Sequence, residues 1–245
     1  MTMAEFEIIL NKLKGLTEHI YFHLMGEPLT HPDIATFISK ARTHGFKPMI
    51  TTNGTLLPKK GDDVINSGIY KVNISLHSFE KDDLTKLYGY LDGIIKFCEK
   101  ASSNSVLCVL RLWNNNFDNG TNELILNYLK EKLSGQWTTN NRGLKIRDRL
   151  FLEYGERFGW PDKDNEAIGN EVFCYGLRDH FGILSNGTIV PCCLDSDGVI
   201  SLGNAFEDDI SQVLSSPRAQ SIKNGFDKRL AVEELCKKCP YARRF

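Results

Sequence analysis

No cysteine occurs in the first 97 residues of this 245-residue chain. That absence excludes a thiolate-held metal centre from that part of the sequence. Long apolar runs are also missing: no stretch approaches the ~20 residues that a membrane-spanning helix requires. Neither sign of charge prevails, with 30 Lys and Arg against 31 Asp and Glu, so no global field points to nucleic acid. The densest basic run, Arg142 to Arg149, reads as a solvated strand or loop. A secretory leader is not expected, because Glu5 and Glu7 stand where its apolar core would begin. The expectation is a cytoplasmic chain with no membrane and no nucleic-acid partner. Its seven cysteines are then not a disulfide framework.

Those cysteines are unevenly spread. Five lie between Cys174 and Cys239. Cys98 and Cys108 sit on apolar faces of a helix and a strand and are expected in the core. Cys174 precedes a hairpin of apolar strands joined by Asn186-Gly187, a turn signal because a type I′ turn needs positive φ at both central residues. Cys192-Cys193 follows the hairpin, an amphipathic helix is expected near Asp208 to Leu214, and Cys236-Lys237-Lys238-Cys239 closes the module. Four thiolates from such a loop, strand end and Cys-x-x-Cys form a tetrahedral sulfur site, for which zinc and iron–sulfur clusters are the two usual occupants. Adjacent residues on an extended strand point to opposite sides, so one of Cys192 and Cys193 is the expected ligand.

Upstream, strands alternate with helical stretches. Thr2 to Glu5 reads as a capping box opening a helix that ends at Gly15. Strands are expected over His19 to Met25, Phe46 to Thr52, Lys71 to His77, Ser105 to Trp113 and Ile146 to Tyr154. Helices are expected from His31 to Gly45, over Gly61 to Asn66, Asp82 to Ser102 and Thr121 to Leu133. This order implies right-handed βαβ units on a parallel sheet. Five strands opening with a helix fit a partial (β/α) TIM-like barrel that lacks its first strand. In such folds the chemistry gathers at C-terminal strand ends. Those ends carry Gly26-Glu27-Pro28, Thr52-Asn53, Ser75 with His77, Arg111 and Glu153. A polar stretch from Lys163 is the candidate linker. The expected division is a barrel at 1–162, a linker at 163–173 and a small Cys-rich hairpin-and-helix domain at 174–245.

Met25-Gly26-Glu27-Pro28 resembles the Gly-Gly-Glu-Pro motif of radical S-adenosylmethionine enzymes. Cys174, then Gly187 through Cys192, then Leu202-Gly203-Asn204 and Cys236-x2-Cys239 resemble the SPASM domain in its shortened, one-cluster Twitch form. The resemblance implies one auxiliary [4Fe–4S] cluster on Cys174, Cys192, Cys236 and Cys239, and so favours Cys192 over Cys193. It implies S-adenosylmethionine held by Gly26 and Glu27, with Thr52, Asn53, Ser75 and His77 near its methionine and ribose. It further implies an oxidoreductase or a peptide- or sugar-modifying enzyme, served by an electron donor such as flavodoxin or ferredoxin. The chain departs from the family where a Cys-x3-Cys-x2-Cys loop is expected after the first strand. The expectation is therefore a truncated family member. The alternatives are a non-catalytic iron–sulfur electron-transfer protein and a structural zinc module held by four cysteines.

Overall fold

The computed structural model describes residues 1–23, 25–78, 84–115 and 117–244. In chain order the elements begin with α1 (Met3–Leu13), β1 (His19–Tyr21), α2 (Ile34–Thr43), β2 (Lys47–Thr52), α3 (Leu57–Asn66) and β3 (Lys71–Ser75). Next come α4 (Leu84–Ser103), β4 (Leu107–Asn115), α5 (Thr121–Lys132), β5 (Thr138–Asn140), β6 (Gly143–Arg147) and β7 (Leu150–Glu156). The C-terminal part holds β8 (Gly182–Ile183), β9 (Thr188–Val190), β10 (Gly203–Asn204), α6 (Ile210–Ser215), α7 (Pro217–Asp227) and α8 (Glu234–Lys237). Among the described residues no helix is long and apolar enough to cross a membrane.

The chain divides into two compact units, 17–157 and 1–16 with 158–245. The division differs from the expected one at two places. The α1 helix groups with the C-terminal residues, where Lys12 Nζ donates to the carbonyls of Ala205 and Asp208 at 2.8 Å each. The expected linker is knitted into the same unit: Ile168 N–H donates to Lys237 O, Val172 N–H to Arg229 O, and Ala231 N–H to Asn170 O. Its polar composition reflects backbone pairing at a surface rather than freedom.

In the unit 17–157 the sheet order is β1-β2-β3-β4-β7-β6-β5, with β1 to β4 and β7 parallel and the β5, β6 edge antiparallel. One face is apolar apart from Thr52 at the end of β2, which is 2% exposed. Ile50, Val72, Ile74, Cys108, Leu110, Leu112, Leu150 and Leu152 pack there with Ile38, Val64, Leu91 and Leu129 of the helices. Cys98 and Cys108 are fully buried in this core, as expected. The period of two fixes the other face: Thr51 pairs with Asn73, and Ser75 with Arg111, which pairs with Glu153. Of that row, Ser75 ends β3, whereas Arg111 and Glu153, expected at strand ends, lie mid-strand because β4 and β7 run on to Asn115 and Glu156.

Several expected elements differ. The strand expected over Lys71 to His77 ends at Ser75 and passes into a 3-10 turn at Leu76–Ser78, and the helix expected over Gly61 to Asn66 already begins at Leu57, with Pro58 in its first turn. The strand expected from His19 to Met25 stops at Tyr21, and its Leu24 lies outside the described residues. The Asp82 start of the long helix also lies outside them. The strand expected over Ile146 to Tyr154 is two strands, turned at Asp148-Arg149 with Arg149 at φ 57. A two-residue turn preserves the alternation, so Ile146, Leu150 and Leu152 keep one parity across it and imitate a single strand.

Candidate functional site

The Gly-Glu-Pro segment leaves β1 by a turn. Gly26 takes φ +85 and is exposed, a conformation that suits a residue with no Cβ. Glu27 caps the short 3-10 turn that Pro28 opens, accepting from Leu29 N–H at 3.0 Å through Oε1. The same oxygen accepts the Thr52 hydroxyl at 2.7 Å, and Oε2 accepts the Asn53 N–H at 2.7 Å. Thr52 Oγ1 in turn accepts from Gly54 N–H at 3.0 Å. One carboxylate thus ties the turn after β1 to the end of β2. The Tyr90 hydroxyl of α4 donates to Asn53 O at 2.6 Å. Burial, with the Glu27 charge second, pushes the Tyr90 hydroxyl pKa far above its ordinary range, so it stays a donor.

Glu27, Thr52 and Asn53 are therefore brought together by direct bonds. Tyr90 joins them without having stood out in the sequence, because on α4 it lies beside the apolar stripe. Ser75 lies in the row with Arg111 and Glu153. His77 is engaged with the backbone of β4: its Nδ1 lies 3.1 Å from Arg111 O and 3.2 Å from Trp113 N. Burial lowers the His77 pKa, which favours the neutral ring. With Nε2 carrying the proton, Nδ1 accepts the Trp113 N–H. The Arg111 guanidinium stacks on the Trp113 ring at 4.4 Å, with its Nε 3.8 Å from Glu153 Oε2 and both side chains only 15–16% exposed. A separate polar cleft of about 450 Å³ lies beside the ends of β4 and β7, lined by Asn115, Asp118, Asn122, Glu123, Leu126 and Tyr154.

The second site lies in the unit 1–16 with 158–245. Cys174 and Cys236 pack on the cluster of Leu177, Ile200, Ala219, Ile222, Phe226 and Leu235. A methyl group placed on Gly176 would touch Cys174 Sγ and Cys192 Cβ, each at 3.6 Å. Cys236 ends in electrostatic contact with Cys192, Cys174 and Cys239. Burial pushes every one of these thiols up, Cys192 to about 12. Backbone N–H groups work the other way: Gly176 N–H donates to Cys174 Sγ at 3.4 Å, and further amides face Cys192 and Cys239.

Among the described residues no three of His, Cys, Asp and Glu converge closely enough to hold a single metal ion. A lone zinc draws its thiolates to about 2.3 Å from one centre, whereas each thiolate of a four-iron cluster binds its own iron and the ligands stand further apart. A group of neighbouring, partly exposed thiols with amides aimed at sulfur fits the cluster better than the ion. Cys193 belongs to this group too, in electrostatic contact with Cys174, Cys192 and Cys239. The alternation argument does not reach it, because β9 ends at Val190 and the two cysteines lie in the bend beyond.

Residues 174–240 match the SPASM family, described as an iron-sulfur cluster-binding domain. A GTP 3',8-cyclase of Thermodesulfovibrio yellowstonii is 34% identical over 82 residues, 32% of this chain and 26% of that protein. Another, of Marinobacter nauticus, is 27% identical over 217 residues, 77% of this chain and 66% of that protein. The matched segment thus spans about a quarter of the first relative and less than two thirds of the second. Among solved structures, BtrN in complex with AdoMet and 2-DOIA superposes with a TM-score of 0.58 at 18% identity, covering 98% of this chain and 80% of that one. The anSMEcpe structure with bound AdoMet gives 0.53 at 16% identity, covering 99% and 75%.

Proposed function

We propose that the chain is a radical S-adenosylmethionine protein with a SPASM domain, the catalytic-fold and auxiliary-cluster part of an S-adenosylmethionine-dependent redox enzyme; the SPASM match over residues 174–240 and the likeness to GTP 3',8-cyclases support this reading. The observation that carries the reading is the gathering of Cys174, Cys192, Cys236 and Cys239 in one half-buried, amide-lined group. We assign these four as ligands of one [4Fe–4S] cluster. When bound, the cluster supplies one-electron chemistry, accepting an electron from substrate.

The protein's own residues prepare both sites. Burial keeps the free thiols protonated, and the amides facing Cys174, Cys192 and Cys239 stabilise the thiolate form that metal binding demands. At the sheet, Glu27 fixes the two strand-end loops against each other. Gly26 and the Thr52–Asn53 loop form the edge assigned to the methionine part of S-adenosylmethionine. Ser75 and His77 are assigned to its ribose side, with the His77 ring held by the Trp113 N–H. Substrate is assigned to the face bearing Arg111 and Glu153. The electron donor would be a small carrier of the flavodoxin or ferredoxin type, and the reaction an oxidation or a modification of a peptide or sugar.

Anaerobic loading with iron and sulfide, followed by equilibrium dialysis against labelled S-adenosylmethionine, tests the reading. About four irons per chain, a broad thiolate-to-iron absorbance and one bound cofactor are expected. Stoichiometric zinc with no iron uptake would overturn the cluster, and absence of cofactor binding would overturn the strand-end site.

A further inference from the structure

Five thiols surround a site that four can fill. β9 ends at Val190, and Pro191, Cys192 and Cys193 then bend away, so the opposed directions of an extended strand do not apply to this pair. The bend is held at both ends. Pro191 O accepts the Leu177 N–H at 3.0 Å. Asp195, only 2% exposed, accepts Val199 N–H and Ile200 N–H at 2.8 Å each, one on each carboxylate oxygen. A fixed loop therefore presents two neighbouring thiols to Cys174. Gly176 marks how close the loop comes: a Cβ there would lie 3.6 Å from both Cys174 Sγ and Cys192 Cβ, and Cys193 is the next residue along the same bend. Cys192 and Cys193 are half-buried, as are the other three thiols. Neither is withdrawn into the core in the manner of Cys98 and Cys108.

We propose that Cys192 and Cys193 are interchangeable ligands for one corner of the cluster, so that the site keeps a spare thiol within reach. In the exchange, the iron–sulfur bond to Cys192 breaks as the bond to Cys193 forms. The Cys193 thiol proton passes to the Cys192 sulfur, and no electron is gained or lost. The consequence is a centre that retains its iron when either Cys192 or Cys193 is lost. It also always holds one uncoordinated thiol at its edge. The inference rests on the assignment of a cluster to this module.

The test reconstitutes the full chain anaerobically with iron and sulfide as the parent, C193A, C192A and C192A/C193A proteins. Iron and labile sulfide are measured per chain, with the electron paramagnetic resonance spectrum of the reduced samples. The parent and C193A should match in iron content. C192A should keep most of the parental iron with a shifted spectrum, and the double variant should lose most of it. A loaded parent beside a C192A protein as empty as the double variant overturns the exchange and leaves the cluster assignment standing. A parent that takes up no iron overturns the cluster assignment itself. Should C192A not fold, alkylation of the loaded parent decides. Brief iodoacetamide treatment of loaded protein, read by peptide mass spectrometry on iron-retaining molecules, should place label on Cys192 in some molecules and on Cys193 in others. Label confined to Cys193 overturns the proposal.

Discussion

The Thr52 hydroxyl donates to Glu27 Oε1 at 2.7 Å, across 25 residues of sequence. This bond, with the Asn53 amide on Oε2, makes Glu27 the fastener between the end of β2 and the turn after β1. A carboxylate offers about four acceptor positions, and three are taken here by Leu29, Thr52 and Asn53. Its first task is thus to shape the edge.

Glu27→Ala should lower stability by about 3 kcal/mol, since it strands the Thr52 hydroxyl and the Asn53 amide in a partly buried site. Thr52→Val removes one donor and the acceptor for Gly54 N–H, and should cost about 2 kcal/mol. Urea denaturation measures both. Binding of S-adenosylmethionine should weaken in each, and more in Glu27→Ala.

His77 makes stability pH-dependent. Its folded pKa is lowered, chiefly by burial, below the ordinary 6.5. The unfolded chain therefore takes up a proton at a higher pH than the folded one. The stabilisation is fully present above about 6.5 and is lost as pH falls through the folded value. His180 shifts in the same direction for the same reason. Denaturation midpoints should fall between pH 7.5 and 5.5, and His77→Gln should flatten part of that slope. An unchanged slope in the variant would place the effect elsewhere.

Much of this was legible in the sequence. Period-two alternation located β2, β3 and β4, because their two faces differ in chemistry. The Cys spacing located the thiol group, because chain turns bring these cysteines back to one neighbourhood. Glu27, Thr52 and Asn53 meet between the turn after β1 and the end of β2, while Arg111 and Glu153 stand within β4 and β7 because those strands run further than their apolar alternation. What stayed hidden depends on short-range backbone geometry. The Asp148–Arg149 turn kept the alternation intact and so left no mark. The bend after Val190 cancelled the argument that separated Cys192 from Cys193. α7 carried its signal in Ser216-Pro217, where Ser216 Oγ accepts the Ala219 N–H at 3.3 Å, but its weak periodicity concealed it. Docking of α1 beside Ala205 depends on Lys12 finding carbonyls 193 residues away, which no local pattern records.

Gly187 tests the hairpin that carries Cys192. Its φ is +87, and an added Cβ would stand 2.4 Å from Asn204 Oδ1 and 2.6 Å from the Phe206 ring. Asn204 cannot easily yield, because its Oδ1 already accepts the Phe206 N–H at 2.9 Å and its Nδ2 donates to Asn186 O at 3.1 Å. Left-handed backbone strain and the clash add, so Gly187→Ala should cost about 3 kcal/mol by denaturant titration. Iron uptake should fall with it, since β9 leads directly into Pro191-Cys192.

Removing the metal should loosen one unit and spare the other. Cys174 and Cys236 pack against the small core of Leu177, Ala219, Ile222 and Phe226, so ligation there would staple a core that is modest without it. The core of the unit 17–157 contains none of the four assigned ligands, and its Cys98 and Cys108 are fully buried. Chelation of the loaded protein should therefore lower a thermal transition and open proteolytic cleavage within 158–245, while 17–157 stays protected. Digestion with trypsin before and after chelation, read by peptide mass spectrometry, distinguishes the cases. New early cuts spread evenly over both units would mean that the metal holds the whole chain together rather than its C-terminal module.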